Sequence, residues 1–99
     1  MTYTIEEIKN IAIPIIQEYA IARLSVFGSY ARGEADEDSD LDFIIDTDGL
    51  IGMIQYCAII RKLEEKFKCH VDMVTTGCSD RDFLNKIQKE EITLYERKR

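Results

Sequence analysis

The chain has 99 residues, 45% of them hydrophobic and 32% charged, with a net charge of −6, which suits one domain spanning residues 1–99 and leaves no room for a separate substrate domain. No apolar stretch approaches the roughly 18 residues needed to cross a bilayer, and Met1-Thr2-Tyr3-Thr4 lacks the basic leader of a secretory signal, so the chain reads as cytoplasmic, with no membrane partner. The acidic balance argues against a direct nucleic-acid partner, since such binders draw much of their affinity from clustered Lys and Arg.

Thr4-Ile5-Glu6-Glu7 reads as a capping box opening a helix that runs to about Ala20, with Ile5, Ile8, Ala12, Ile15, Ile16 and Tyr19 as its apolar stripe. Pro14 lies inside it and predicts a kink or break near Ala12. Arg23 to Phe27 is a first strand, and Gly28-Ser29 makes a turn into a short segment, GSYARG, that holds a turn or two of helix before Gly33 ends it. An acidic loop follows, then a second strand from Leu41 to Ile45 and a turn at Asp48-Gly49. Leu50 to Lys66 is the longest predicted helix, with Met53, Tyr56, Cys57, Ile60, Leu63 and Phe67 on one face. Val71 to Thr75 is a short, β-branched third strand ended by Thr76-Gly77. Ser79 or Asp80 caps a fourth helix carrying Phe83, Leu84 and Ile87, and Ile92 and Leu94 close the domain before a solvated end at Arg97-Lys98-Arg99. Cys57, Cys69 and Cys78 show neither a disulfide pattern nor zinc-ligand spacing and read as small buried hydrophobes.

A short loop between strands one and two implies antiparallel neighbours, and a helix of about 17 residues between strands two and three suits a parallel crossover, giving the order αβαβαβα. Side chains two apart in a strand share a face, so Asp40 and Asp42 project together, about 7 Å apart, opposite Leu41, Phe43 and Ile45. The acids then lie on an open face of a sheet whose helices cover the other side. Gly28 permits close backbone approach, and Ser29 adds a hydroxyl and an amide of the kind that binds phosphate. Glu34, Asp36, Glu37, Asp38, Asp40 and Asp42 crowd within nine residues and would repel a naked polyphosphate, so a nucleotide must arrive with divalent metal. Asp-x-Asp alone is more often a solvated turn; the weight comes from its combination with Gly28-Ser29 and a later acid, Asp72. His70, the one histidine, shares a strand face with Asp72 and reads as a partly exposed structural residue.

Gly28-Ser29, ten residues, then Asp40-x-Asp42 resembles the signature of the nucleotidyltransferase superfamily that includes polymerase beta. The version here, GSYARGEADEDSDLDF, is most similar to the minimal nucleotidyltransferases (MNT) encoded beside HEPN partners in toxin-antitoxin pairs. The likeness extends over nearly the whole chain and matches the third acid of the family to Asp72. It implies an α/β (α+β) nucleotidyltransferase fold with a small, mixed, three-stranded sheet and helices mainly on one face. It also implies that Asp40, Asp42 and Asp72 are the catalytic acids and hold two Mg2+ ions, that ATP is the donor, and that Gly28 and Ser29 grip its outer phosphates. Arg32 either touches the triphosphate or pairs with Glu34 or Asp36; Ser39 stands with the nucleotide-binding residues or braces the loop through its own backbone. The implied partner is a HEPN toxin, a ribonuclease silenced by transfer of AMP to a hydroxyl, that of a tyrosine. The alternative is a non-catalytic antitoxin that inhibits the same partner by covering it.

Overall fold

Thr4 opens the first helix as its sequence requires: its hydroxyl accepts the Glu7 N–H at 3.1 Å and the Glu7 carboxylate accepts the Thr4 N–H at 2.9 Å. The computed structural model describes residues 2–19, 21–47, 52–77 and 80–97. Helix α1 spans Ile5–Ile16 and passes through Pro14 without the break expected near Ala12. Proline disturbs only the turn before it, and Gln17 still donates to the Ile13 carbonyl at 3.0 Å. Glu18 and Tyr19 then turn more tightly, back to Ile15 and Ile16, and end the helix short of the expected point.

The chain continues as β1 (Ile21–Phe27), α2 (Ser29–Arg32), β2 (Leu41–Thr47), α3 (Met53–Phe67), β3 (Val71–Thr75), α4 (Arg81–Gln88) and β4 (Ile92–Glu96). The expected pairings are present: β1 and β2 are antiparallel, and β2 and β3 are parallel across α3. The sheet, however, has four strands in the order β3-β2-β1-β4, not three. Ile92 and Leu94 do more than close the domain, because their segment pairs antiparallel with β1. An edge strand with one buried face shows only a faint two-residue alternation, and five residues are too few to display it clearly.

Strand alternation divides the core in two. Leu24, Val26, Leu41, Phe43, Ile45, Val71 and Met73 meet Ile8, Ala12, Ile15 and Ile16 of α1 and Ile59, Leu63 and Phe67 of α3. On the opposite face Phe27 and Ile44 meet Leu84 and Ile87 of α4. Helices thus lie mainly on one face, with α4 covering part of the other, so the face that carries the acids is only partly open. The Asp80 carboxylate caps α4 by accepting the Phe83 N–H at 3.0 Å. Met53 and Cys57, expected in the buried stripe of α3, are exposed. Cys57 lies two residues from Ile59, about 200° round a helix of 3.6 residues per turn, so it points away from the sheet. Cys69 is half-buried, so neither described cysteine is a core residue. Asp48-Gly49, Leu50, Cys78, Ser79 and the last two residues of the tail lie outside the described residues. Among the described residues no helix is long and apolar enough to cross a membrane.

Phe67 ties the larger core together: its ring packs against Phe43 and edge-on against Tyr3, whose hydroxyl donates to the Phe67 carbonyl at 2.6 Å. Replacing Phe67 by Ala should cost about 3–5 kcal/mol in urea unfolding, the range for deleting a fully buried aromatic ring. A loss below about 1 kcal/mol would contradict this account of the core.

Candidate active site

Three short pieces of chain converge at the ends of β1, β2 and β3. Gly28 leaves β1 at φ 75°, ψ −151°, a backbone conformation that side chains disfavour. It also has no room for one: a Cβ there would lie 2.3 Å from the Asp42 carboxylate. The next residues make the single helical turn of α2, closed by Gly33 in the left-handed region as expected. Their backbone bonds run from the Arg32 N–H to the Gly28 carbonyl at 3.1 Å and from the Glu34 N–H to the Ser29 carbonyl at 2.9 Å.

The acidic loop then ties itself. Ser39 Oγ accepts the Asp36 N–H at 2.9 Å and donates to the Asp36 carboxylate at 3.2 Å, and that carboxylate accepts the Asp38 N–H at 2.9 Å. These bonds deliver Asp40 to the start of β2. In the parallel register Asp42 stands opposite Asp72, so both carboxylates leave the sheet on the same face. Asp40 and Asp72 are exposed beside it, and His70 Nδ1 lies between them, 3.5 Å from an Asp40 oxygen and 3.6 Å from an Asp72 oxygen. One donor atom from each of Asp40, His70 and Asp72 lies within 4.8 Å of the others. Half-burial, above all, pushes Asp42 up to about 6; the Asp72 charge, a hydrogen bond with Asp72 and the Asp40 charge add to the effect, and Arg32 opposes it. Carboxylate oxygens crowded in this way are hard donors whose mutual repulsion a divalent cation relieves, so the set fits such an ion.

Beside the acids opens a cavity of about 390 Å³ lined by Phe27, Gly28, Ser29, Arg32, Asp40, Asp42, Phe83, Lys86, Ile87 and Glu90. Gly28, Ser29, Arg32, Asp40 and Asp42 thus share one cavity, and Asp72 adjoins it through Asp42. Ser39 is not in its lining, because its hydroxyl is used inside the loop. Arg32 pairs with Glu34, at 3.1 Å, as its sequence neighbourhood suggests, and also at 3.1 Å with Glu90, which nothing local predicts. Sequence reasoning misses Lys86 and Glu90 as cavity residues and underrates the position of His70. Phe83, Lys86, Ile87 and Glu90 follow a three- and four-residue spacing from α4 into the turn after it, a helical face that marks them as a set. The residues that reveal the site's place, Gly28 and Asp42, lie more than 40 positions earlier.

A mixed four-stranded sheet, a Gly-Ser turn and acids on adjacent parallel strands define a nucleotidyl-transfer type of domain. The chain belongs to the polymerase beta nucleotidyltransferase family, whose profile matches residues 6–99. It is 33% identical over 75 residues to the protein adenylyltransferase MntA of Thermococcus cleftensis, covering 72% of this chain and 76% of that one. It is 37% identical over 71 residues to a candidate protein adenylyltransferase of Methanocaldococcus jannaschii, again covering 72% and 76%. Among solved structures it resembles a candidate minimal nucleotidyltransferase, with 28% identity, a TM-score of 0.75 and coverage of 91% and 95%. The fold also matches a chain of a toxin-antitoxin complex with AMP-PNP at TM-score 0.80, 18% identity and coverage of 91% and 74%. A further match is a chain of the tri-AMPylated Shewanella oneidensis HEPN toxin in complex with MNT antitoxin, at TM-score 0.75, 16% identity and coverage of 95% and 74%.

Two substitutions check the geometry. Gly28→Ala combines backbone strain with a collision against Asp42, and should cost about 1–3 kcal/mol in denaturant unfolding; an unchanged midpoint would contradict it. For Asp42 the folded-state value lies above the unfolded one, so the metal-free fold holds the extra proton and loses stability as pH rises from about 4 to about 6. Asp42→Asn should therefore raise the melting temperature of the metal-free protein at pH 7.5 by a few degrees, on the order expected for a partly solvated carboxylate. The gain should fade towards pH 4, and an equal gain at both pH values would contradict the assigned cause.

Proposed function

We propose that this chain is a protein adenylyltransferase that transfers AMP from ATP to a tyrosine hydroxyl of a HEPN-family ribonuclease toxin and so silences it. In this reading residues 1–99 form one catalytic domain, working in the cytoplasm. The observation that carries the reading is the meeting of Asp40, Asp42 and Asp72 beside the cavity at Gly28 and Ser29. The relatives named as protein adenylyltransferases, and the AMPylated HEPN toxin found with an MNT antitoxin, supply the nucleotide and the acceptor class.

Asp40, Asp42 and Asp72 would hold two magnesium ions, which when bound neutralise the charge that develops around the transferred phosphorus. Ser29, through its hydroxyl and amide, and the Gly28 N–H bind the outer phosphates, and Arg32 and Lys86 lend positive charge from the cavity wall. Asp72 takes the tyrosine proton as the phenolic oxygen bonds to the α-phosphorus. The bond from that phosphorus to the bridging oxygen breaks, and pyrophosphate leaves. Ser39 serves through the loop that delivers Asp40.

The test is intact mass spectrometry of the HEPN partner after incubation with this chain, ATP and magnesium. Additions of about 329 Da, one AMP each, are expected. Asp42→Asn should cut the rate by about a thousandfold while leaving partner binding intact. A partner that is inhibited but never gains mass would overturn the enzyme reading in favour of a binding module.

A further inference from the structure

Glu90 occupies the groups to which the phosphates are assigned. It lies in the turn between α4 and β4, half-buried, in the wall of the cavity that holds Ser29 and Lys86. Its Oε1 accepts the Gly28 N–H at 3.3 Å and an Arg32 Nη1–H at 3.2 Å, and its Oε2 accepts from the same Arg32 nitrogen at 3.1 Å. The second arm of Arg32, Nε, donates to Glu34 at 3.1 Å, outside the cavity. An N–H pointing into a cavity serves one strong acceptor at a time, and a carboxylate next to a phosphate repels it. A nucleotide phosphate that takes the Gly28 N–H must therefore displace Glu90, and in doing so it releases Arg32 from one of its two anions.

We propose that Glu90 is an internal anion that stands in for phosphate before nucleotide binds and sets nucleotide affinity by competing for Gly28 and Arg32. The proposal rests on the reading of this cavity as the nucleotide site. The competition works in both directions. It weakens binding of the incoming triphosphate, and it lets the carboxylate retake both donors when pyrophosphate leaves, which speeds product release. Glu90 is thus a positioning residue and takes no part in bond making.

Glu90→Gln keeps the size and one acceptor oxygen but removes the charge. Isothermal titration of the full chain with ATP and magnesium should show the dissociation constant lowered by about three- to tenfold, with inorganic pyrophosphate bound more tightly by a similar factor. Glu34→Gln frees the other side of Arg32 from outside the cavity and should change either constant by less than about twofold. Thermal unfolding of each variant checks that the fold survives. Unchanged or weaker nucleotide binding by a folded Glu90→Gln would overturn the competition, as would an equal gain from Glu34→Gln, which would reduce the effect to general charge. A wild-type chain that binds neither ATP nor pyrophosphate would instead bring down the nucleotide reading of the cavity and this inference with it.

Discussion

The site depends on one register, the parallel pairing that sets Asp42 opposite Asp72. Because strand side chains alternate, that register sends Leu41, Phe43, Val71 and Met73 into the main core and both acids out of the other face. A slip of one residue would bury a carboxylate and expose a phenylalanine, so the hydrophobic burial that stabilises the fold also enforces the crowding of charge. The resistance of Asp42 to ionising is the visible cost of that arrangement, and it is borne by a sheet anchored on its other face by α1 and α3. Gly28 completes the constraint. The first strand can end against Asp42 only because no side chain stands there.

This explains which features are legible in the amino-acid sequence. Leu41-Asp42-Phe43-Ile44-Ile45 states its own facing, since only one register buries its apolar residues, and Val71-Asp72-Met73 repeats the pattern after a helix long enough for a parallel crossover. Thr4 with Glu7, and Gly33 after a short helical segment, are local signals whose outcome depends on a few neighbouring backbone bonds. The Gly-Ser and Asp-x-Asp spacing combines both kinds, which is why Gly28, Ser29, Asp40 and Asp42 group together from residue type and spacing alone.

What the sequence hides is decided by packing partners far along the chain. β4 owes its place to an edge of β1 some 66 to 73 positions earlier, and its short alternation carries little signal alone. In α3, Met53 and Cys57 depart from expectation because they are apolar by type yet lie outside the stripe that Ile59, Leu63 and Phe67 press onto the sheet. Charge partners are harder still to read: the neighbours Glu34 and Asp36 are the obvious candidates for Arg32, but its second partner, Glu90, is 58 residues away. His70 falls on the expected face, but only the pairing of β3 with β2 brings it within reach of both Asp40 and Asp72.

The order of the strands also gives the site two sides. β2 lies between β1 and β3, so Asp42 sits between the cavity walled by β1, α2 and α4 and the sheet edge that carries Asp72 and His70. On the first side are Gly28, Ser29, Arg32 and Lys86, the groups proposed to bind the phosphates. On the second the side chains are more than half exposed, with no wall beyond them among the described residues. In-line displacement at phosphorus needs an entering oxygen and a leaving oxygen on opposite sides of the reacting atom. With the phosphates bound as proposed, a leaving group held at the α4 side requires an acceptor that arrives over the β3 edge. In the proposed reading, an edge whose His70 and Asp72 side chains are more than half exposed suits a hydroxyl presented by the surface of another protein.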